Sequence, residues 1–537
     1  MISPSAASGP SRARRWAPAV LVLALLAQMA LAMLTAAREQ SPTIDEPIYV
    51  GAALVYLREH SLRYNPEHPP LGKLVIGAGA ALARPRLDPG FTGVQDDLGR
   101  HVLYESGNDA QRLLLAARIP VIVLTLLFGL VVFAFARDLT GTPGGLVALG
   151  LYAFSPDVIA HGSLATLDVP AAGFALTSAW LAWRARRAPL PWIPLAGAAL
   201  GAAVATKMSA LAAVPVVAVL VALSCRAHEP PRRTLRFVAG TVAVAVLTVW
   251  LTYLAVDPRL RWTTPGGVPS TGGLRGLLVG LAPFPRPFHD GMRLQFMFER
   301  ETWDGFLFGR HYRGSLWYYL PAALLVKTPL GMLALWAAGA AAMAAVPRLR
   351  PAAPYVLVPP AVLLAAAMTG SRDLGVRYAL FVPMFLAVAA AGATAFRWRW
   401  APGAAAVLVA AVAVSSLRAF PYYLPYSNEA FGGPSKTHLR LHDSNVDWGQ
   451  DLERLAHHLR AEYPGEPAWL AYKGSGVPSY YGIRAQDALA APADRVHGLL
   501  VVSDSWVAKA DPRVLALVKG LEPVDEVGHS ISIYRRP

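Results

Sequence analysis

Apolar residues in this chain come in long runs separated by short polar turns, and the runs approach the ~20 residues needed to cross ~30 Å of hydrocarbon. The pattern predicts eleven spans, near residues 16–37, 116–136, 143–161, 165–183, 189–206, 208–224, 236–256, 318–346, 353–370, 376–396 and 401–420. The third and fourth are short and interrupted. Residues 38–115 are too long for a plain connector. They hold two shorter apolar stretches, one through Ile48, Ala52, Val55 and Tyr56 and one from Lys73 to Ala83, which predict amphipathic helices at the membrane surface. A second long polar segment covers residues 257–317. From Pro421 to Pro537 the composition is that of a soluble protein. Gly449–Tyr463 predicts an amphipathic helix, and Trp469–Tyr472, Leu499–Ser503 and Ile531–Tyr534 predict short strands. The expected architecture is a helical, polytopic membrane domain at 1–420 and a small α/β extramembrane domain at 421–537.

Charge orients this picture. Only 15% of the 537 residues are charged, against about a quarter in soluble proteins. Arg12/Arg14/Arg15, Arg137, Arg184/Arg186/Arg187, Arg226/Arg232/Arg233/Arg236, Arg348/Arg350 and Arg397/Arg399 fall at alternate span ends. That is the positive-inside pattern. It predicts a multi-pass inner- or plasma-membrane protein with a cytoplasmic N-terminus, extracytoplasmic segments 38–115 and 257–317, and an extracytoplasmic C-terminal domain. The net charge of +15 is thereby explained without nucleic acid. The first run follows three arginines and resembles a signal peptide at its start, but it is longer than a signal core and reads as a retained span. One cysteine, Cys225, excludes an intrachain disulfide.

The outer face then holds an unusual set of polar residues. Asp45 and Glu46 are adjacent carboxylates just past the first span. Thr43-x-x-Glu46 fits a capping box, which explains Glu46 and leaves Asp45 without a structural task. Neighbouring helical residues point about 100° apart, so the two carboxylates do not serve one spot. His68 precedes Pro69-Pro70, and Lys73 follows. A helix start there is the bland reading, but the prolines lack N–H groups, so an anion would need His68 or Lys73 itself. Asp157, His161 and Asp168 lie between the third and fourth spans, where ionisable groups are functional candidates and helix caps are the alternative. Arg118, Lys207, Arg310, Arg313, Lys327, Arg372 and Arg377 recur on the outer side, where positive-inside bias does not predict them. An anionic lipid phosphate would explain them, as would snorkelling. Asp443-Ser-Asn445-Val-Asp447 looks like half a calcium loop, but Trp448 and Arg454 occupy positions that need glycine and glutamate.

Taken together, Thr43-Ile-Asp45-Glu46-Pro, His68-Pro-Pro-Leu-Gly-Lys73, Ser155-Pro-Asp-Val-Ile-Ala-His161-Gly, Ala165-Thr-Leu-Asp168-Val-Pro and Gly375-Val-Arg377-Tyr resemble the bacterial branch of the protein O-mannosyltransferase and aminoarabinose transferase superfamily. Tyr426-Ser-Asn-Glu429-Ala-Phe-Gly-Gly and Asp443-Ser-Asn-Val-Asp-Trp-Gly-Gln-Asp451-Leu are similar to a subgroup with a C-terminal extramembrane domain. The resemblance implies a GT-C fold and an inverting glycosyltransferase. The donor would be a sugar on polyprenyl phosphate, and the acceptor a protein, lipid or glycan. It implies no catalytic metal and no cofactor. By the match Asp45 is the base, Glu46 its neighbour and Asp168 the second acid. His68, Lys73, Arg118, Arg377 and Lys327 are the candidates for the donor phosphate. Histidine before Pro-Pro matches the mannosyltransferase branch, where the aminoarabinose branch has lysine. Two other classes stay open: a transporter, which would place its polar site near the midplane, and a non-catalytic scaffold whose soluble tail does the work.

Overall fold

The computed structural model describes residues 12–537, with side chains from Trp16 onward. The side chains of Arg12, Arg14 and Arg15 therefore lie outside the described residues. The chain is a helical membrane protein with a small C-terminal sheet. Among the described residues, seven helices are long and apolar enough to cross a membrane, or eight if the bent pair Tyr319–Lys327 and Leu330–Ala345 counts as one span.

Eleven such spans are therefore not confirmed, and the difference has identifiable causes. The predicted second and third spans both fall within Ala110–Ala153, which the seven include once although it is broken at Gly141, where φ is +78°. The chain turns back there, so that the Tyr152 hydroxyl donates to Thr125 O at 2.7 Å across two packed helices. The predicted fourth span, Asp168–Ala185, has the length but carries polar and aromatic residues among its apolar ones. The predicted tenth is the short helix Phe381–Ala390 extended by a tighter turn to Ala395.

The first external loop also differs from expectation. Glu46–Glu59 forms a helix, but Val50 through Tyr56 are all buried. It packs between helices Pro70–Leu82 and Gln95–Arg100 instead of lying on a membrane surface. Its apolar residues surround the axis, and such a helix belongs inside protein. In the second loop the short helix Gly273–Leu281 leaves Leu274, Leu277, Leu278 and Leu281 exposed. Asp304–Leu307 and Arg310–Arg313 form an antiparallel hairpin in the same loop.

The C-terminal region builds a five-stranded sheet in the order Ala485–Asp487, Ala468–Ala471, Gly498–Ser503, Ile531–Arg536, Pro523–Val527. The first three strands run parallel and the last two antiparallel to their neighbours. Gly498–Ser503 is central because Leu499 to Val502 are apolar on both faces and fully buried. The two strands not expected from sequence are the edge strands, which are short or mostly polar. The helix Leu452–Glu462 covers one side, with Leu452, Leu455 and Ala456 turned to the sheet.

Candidate active site

A cavity of about 1090 Å³ opens where the two long loops, the helix ends and the C-terminal region meet. Part of its wall is apolar and includes Leu278, Phe284, Phe296, Leu363 and Phe381. The rest carries Asp45, His68, Asp168, Lys207, Arg372 and Arg377 from the membrane part, and Asp443, Trp448, Lys473 and Lys509 from the C-terminal region. Of the residues singled out in the sequence, the structure thus brings Asp45, His68, Asp168, Lys207, Arg372 and Arg377 to this cavity. Glu46, Lys73, Arg118 and Lys327 stand off it.

Asp45 occupies the cap position of the helix Glu46–Glu59, yet its side chain accepts no capping bond. It turns to the cavity, where its Oδ2 accepts from Arg377 Nη1 at 2.6 Å. Glu46 points the other way and is fully buried. Its Oε2 accepts from the Thr43 N–H at 2.9 Å and the Thr43 hydroxyl at 3.0 Å. Arg118 donates to both carboxylate oxygens at 2.7 Å, and the Ala165 N–H donates to Oε1 at 2.7 Å. Burial alone would raise the Glu46 carboxyl, but Arg118 and these N–H groups hold it below the usual range. Arg118 spends its remaining N–H groups on the carbonyls of Ala37, Gln40 and Ser41. The pair is a clasp that fixes the end of the first span against two other helices.

Two more sequence-selected cations are likewise committed. Lys73 Nζ donates to Asn65 O at 2.5 Å, His68 O at 2.7 Å and Asn65 Oδ1 at 3.0 Å. That uses all three donors of an ammonium. Lys327 donates to Leu424 O at 2.5 Å and Asn445 O at 3.0 Å, and pairs with Asp157 at 3.3 Å. Lys73 shapes the His68 loop, and Lys327 ties the C-terminal region to the membrane part.

His68 lies on the cavity wall with its Nδ1 buried and unpartnered among the described residues. Loss of hydration, with Lys207 and Lys73 close by, pushes its imidazole well below the usual range. It is therefore neutral at pH 7 and offers a hydrogen bond rather than a charge. Asp168, at the start of Asp168–Ala185, pairs with Lys207. Lys207 is presented by an extended break between the helix Pro189–Thr206 and the turn Met208–Ala212, with its ammonium 5.0 Å from the Tyr378 ring centre. Arg372 bonds Glu299 at 2.7 Å and Gln295 at 2.9 Å.

The run Asp443–Asp451 acts as a keystone between the two parts. The Ile44 N–H donates to Trp448 O and the Ser41 N–H to Gln450 O, both at 3.0 Å, just before Asp45. Asn445 Oδ1 accepts from the Val376 N–H at 3.0 Å, beside Arg377. The Arg377 guanidinium lies 4.5 Å from the Trp448 ring centre. One short run therefore sets both partners of the Asp45–Arg377 pair. Asp443 is buried against Lys473 at 2.8 Å and Lys509 at 3.7 Å. Burial would raise its carboxyl, but the two ammonium groups hold it well below the usual range. Sequence reading missed Lys473, Lys509 and Trp448 as site residues. The available signal was topological, because Lys473 follows the end of a parallel strand, the edge where open sheets place ligands.

Residues 111–253 match the family of dolichyl-phosphate-mannose-protein mannosyltransferases. No curated protein sequence matches the chain. The structure is similar to that of ArnT from Cupriavidus metallidurans in the apo state, with TM-score 0.50, 14% identity and 98% of each chain covered. It is equally similar to ArnT from the same organism bound to undecaprenyl phosphate, with TM-score 0.50 and 14% identity over 97% of this chain and 98% of that one. At such identity the likeness speaks for the fold. Together these matches show a multi-pass membrane protein of the ArnT-like GT-C fold, with a mannosyltransferase family match over residues 111–253.

Proposed function

We propose that this protein is an inverting glycosyltransferase that moves a hexose or pentose from a polyprenyl-phosphate carrier to a protein, lipid or glycan acceptor at the outer face of the membrane. The observation that carries the reading is the Asp45–Arg377 pair at 2.6 Å on the wall of a cavity that joins a charged side to an apolar one. The solved ArnT binds undecaprenyl phosphate, and we carry that ligand class over to this cavity. Its apolar wall suits a prenyl tail, and its cations suit a phosphate. The acceptor hydroxyl attacks the anomeric carbon, the bond from that carbon to the phosphate oxygen breaks, and the hydroxyl proton passes to Asp45. Arg377, with Lys207 and Arg372 beside it, receives the charge developing on the departing phosphate. In the resting site Arg377 occupies Asp45. A donor phosphate on Arg377 would release the carboxylate to accept a proton, so donor binding would prepare the base. Asp168 holds Lys207 in place, and His68 contributes an N–H.

Mass spectrometry of the cell envelope with and without this protein should show the loss of one hexose or pentose from one acceptor. Identical envelope glycans would remove the proposal. In a purified assay, Arg377→Ala should raise the donor KM more than the acceptor KM. Equal effects on both would take Arg377 away from the phosphate. For the membrane orientation, a reporter active only outside the cytoplasm, fused after Pro537, should be active. Activity of a cytoplasm-only reporter there would invert the proposed topology.

A further inference from the structure

A second cavity, of about 390 Å³, lies at the end of the molecule opposite the first. The helix Asp168–Ala185 connects them. Asp168 at its start lines the large cavity, while Trp183 and, just past its end, Arg186 and Arg187 line the small one. Eighteen residues at 1.5 Å each put the two about 27 Å apart, close to the ~30 Å depth of a bilayer core.

Four separate segments converge on the small cavity. Asp138 comes from the helix Ala110–Ala153, Arg186 and Arg187 from the turn after Ala185, His228 from the turn after Cys225, and Arg348 from the turn after Ala345. The acid is already matched, since Asp138 Oδ2 accepts from Trp180 Nε1 at 3.0 Å and pairs with Arg184 at 3.3 Å. Arg186, Arg187 and Arg348 have no carboxylate partner among the described residues. Arg186 instead stacks 4.4 Å from the Trp183 ring centre. Positive-inside bias accounts for arginines in each turn. It does not account for three of them, unpaired, meeting around one cavity of ligand size, for which ~300–1,000 Å³ is typical. Trp180 and Trp192 flank Arg184 at this level, 5.3 Å and 4.6 Å from their ring centres, as tryptophans do where membrane meets water.

We propose that this cavity binds a phosphate-ester anion, and that its position at headgroup depth makes an anionic phospholipid the occupant. Guanidinium groups match phosphate oxygens in paired hydrogen bonds, and basic pockets between spans hold acidic headgroups. The site is independent of the outer cavity and of the chemistry proposed there.

The test is thermal unfolding of the full purified chain in detergent, with added phosphatidylglycerol, phosphatidylcholine or inorganic phosphate. Phosphatidylglycerol should raise the unfolding temperature and phosphatidylcholine should not. The double variant Arg187→Gln/Arg348→Gln alters two exposed side chains, so it should fold and keep the parent's unfolding temperature without lipid, and it should lose the phosphatidylglycerol shift. Arg187→Lys/Arg348→Lys should retain a reduced shift. If inorganic phosphate reproduced the whole shift and competed with the lipid, a soluble phosphate would be the occupant and the lipid assignment would fall. An undiminished phosphatidylglycerol shift in the glutamine variant, or no shift in the parent chain, would overturn the site itself.

Discussion

Asp45→Asn is expected to lower turnover by about 10²–10⁴, the usual contribution of a general base, while folding and donor binding are largely kept. The amide keeps the carboxylate's shape and can still contact Arg377, so the wall of the cavity survives. What it loses is the ability to take the acceptor's proton. The geometry distinguishes this site sharply from its neighbour. Asp45 is partly exposed and has one protein partner, Arg377. Glu46 is buried, with both oxygens engaged. The measurement is single-turnover transfer with purified protein and saturating polyprenyl-phosphate sugar, checked for folding by thermal unfolding. A parent rate in Asp45→Asn together with a dead, folded Glu46→Gln would reverse the roles of the two acids. Parent rates in both variants would leave the proposed displacement without a base, and a transporter or scaffold would become the better reading.

Local signals in the sequence carried much of this site. Asp45 could be separated from Glu46 because Thr43-x-x-Glu46 is a local capping pattern, and the structure has Glu46 accepting from Thr43 in that way. Arg377 was visible as a cation on the side where positive-inside bias places none. The same argument selected Lys73, Arg118 and Lys327, and there it met a limit. A cation looks free in sequence when its partners are carbonyl oxygens, which every residue has. Arg118 reaches back to Ala37 and Gln40, and Lys327 reaches forward to Leu424 and Asn445. Lys207 and Arg372 were noted as outer cations, but nothing local separates them from the committed ones. Lys473 and Lys509 sit in an ordinary soluble sequence, and only the docking of Asp443–Asp451 onto residues 41–44 and 376 turns them toward the cavity. The span count was limited in a related way. Hydropathy sees length and polarity, and it cannot see that Asp168–Ala185 is a helix despite its polar residues or that Glu46–Glu59 is wrapped by protein.

The largest stability effect is expected at the buried clasp. Arg118→Ala leaves Glu46 charged and without its cation, and Glu46→Ala leaves the Arg118 guanidinium with carbonyls alone; both groups are fully buried. Removing one member of a buried ion pair costs about 3–5 kcal/mol, a large share of the roughly 5–15 kcal/mol that holds a typical domain together. Glu46→Gln should cost less than Glu46→Ala, because the side-chain carbonyl can still accept from Thr43 or Ala165. Replacing both partners with apolar residues of similar volume should cost less than either alanine variant, since no unpaired charge remains. Thermal unfolding in detergent, read for all four variants, gives the ordering. Loss of turnover in these variants should follow loss of folded protein, because the clasp positions the chain before Asp45 without facing the cavity. If Glu46→Ala unfolded at the parent temperature and yet failed to transfer sugar, Glu46 would belong to the chemistry, and the division between one structural and one catalytic carboxylate would be wrong.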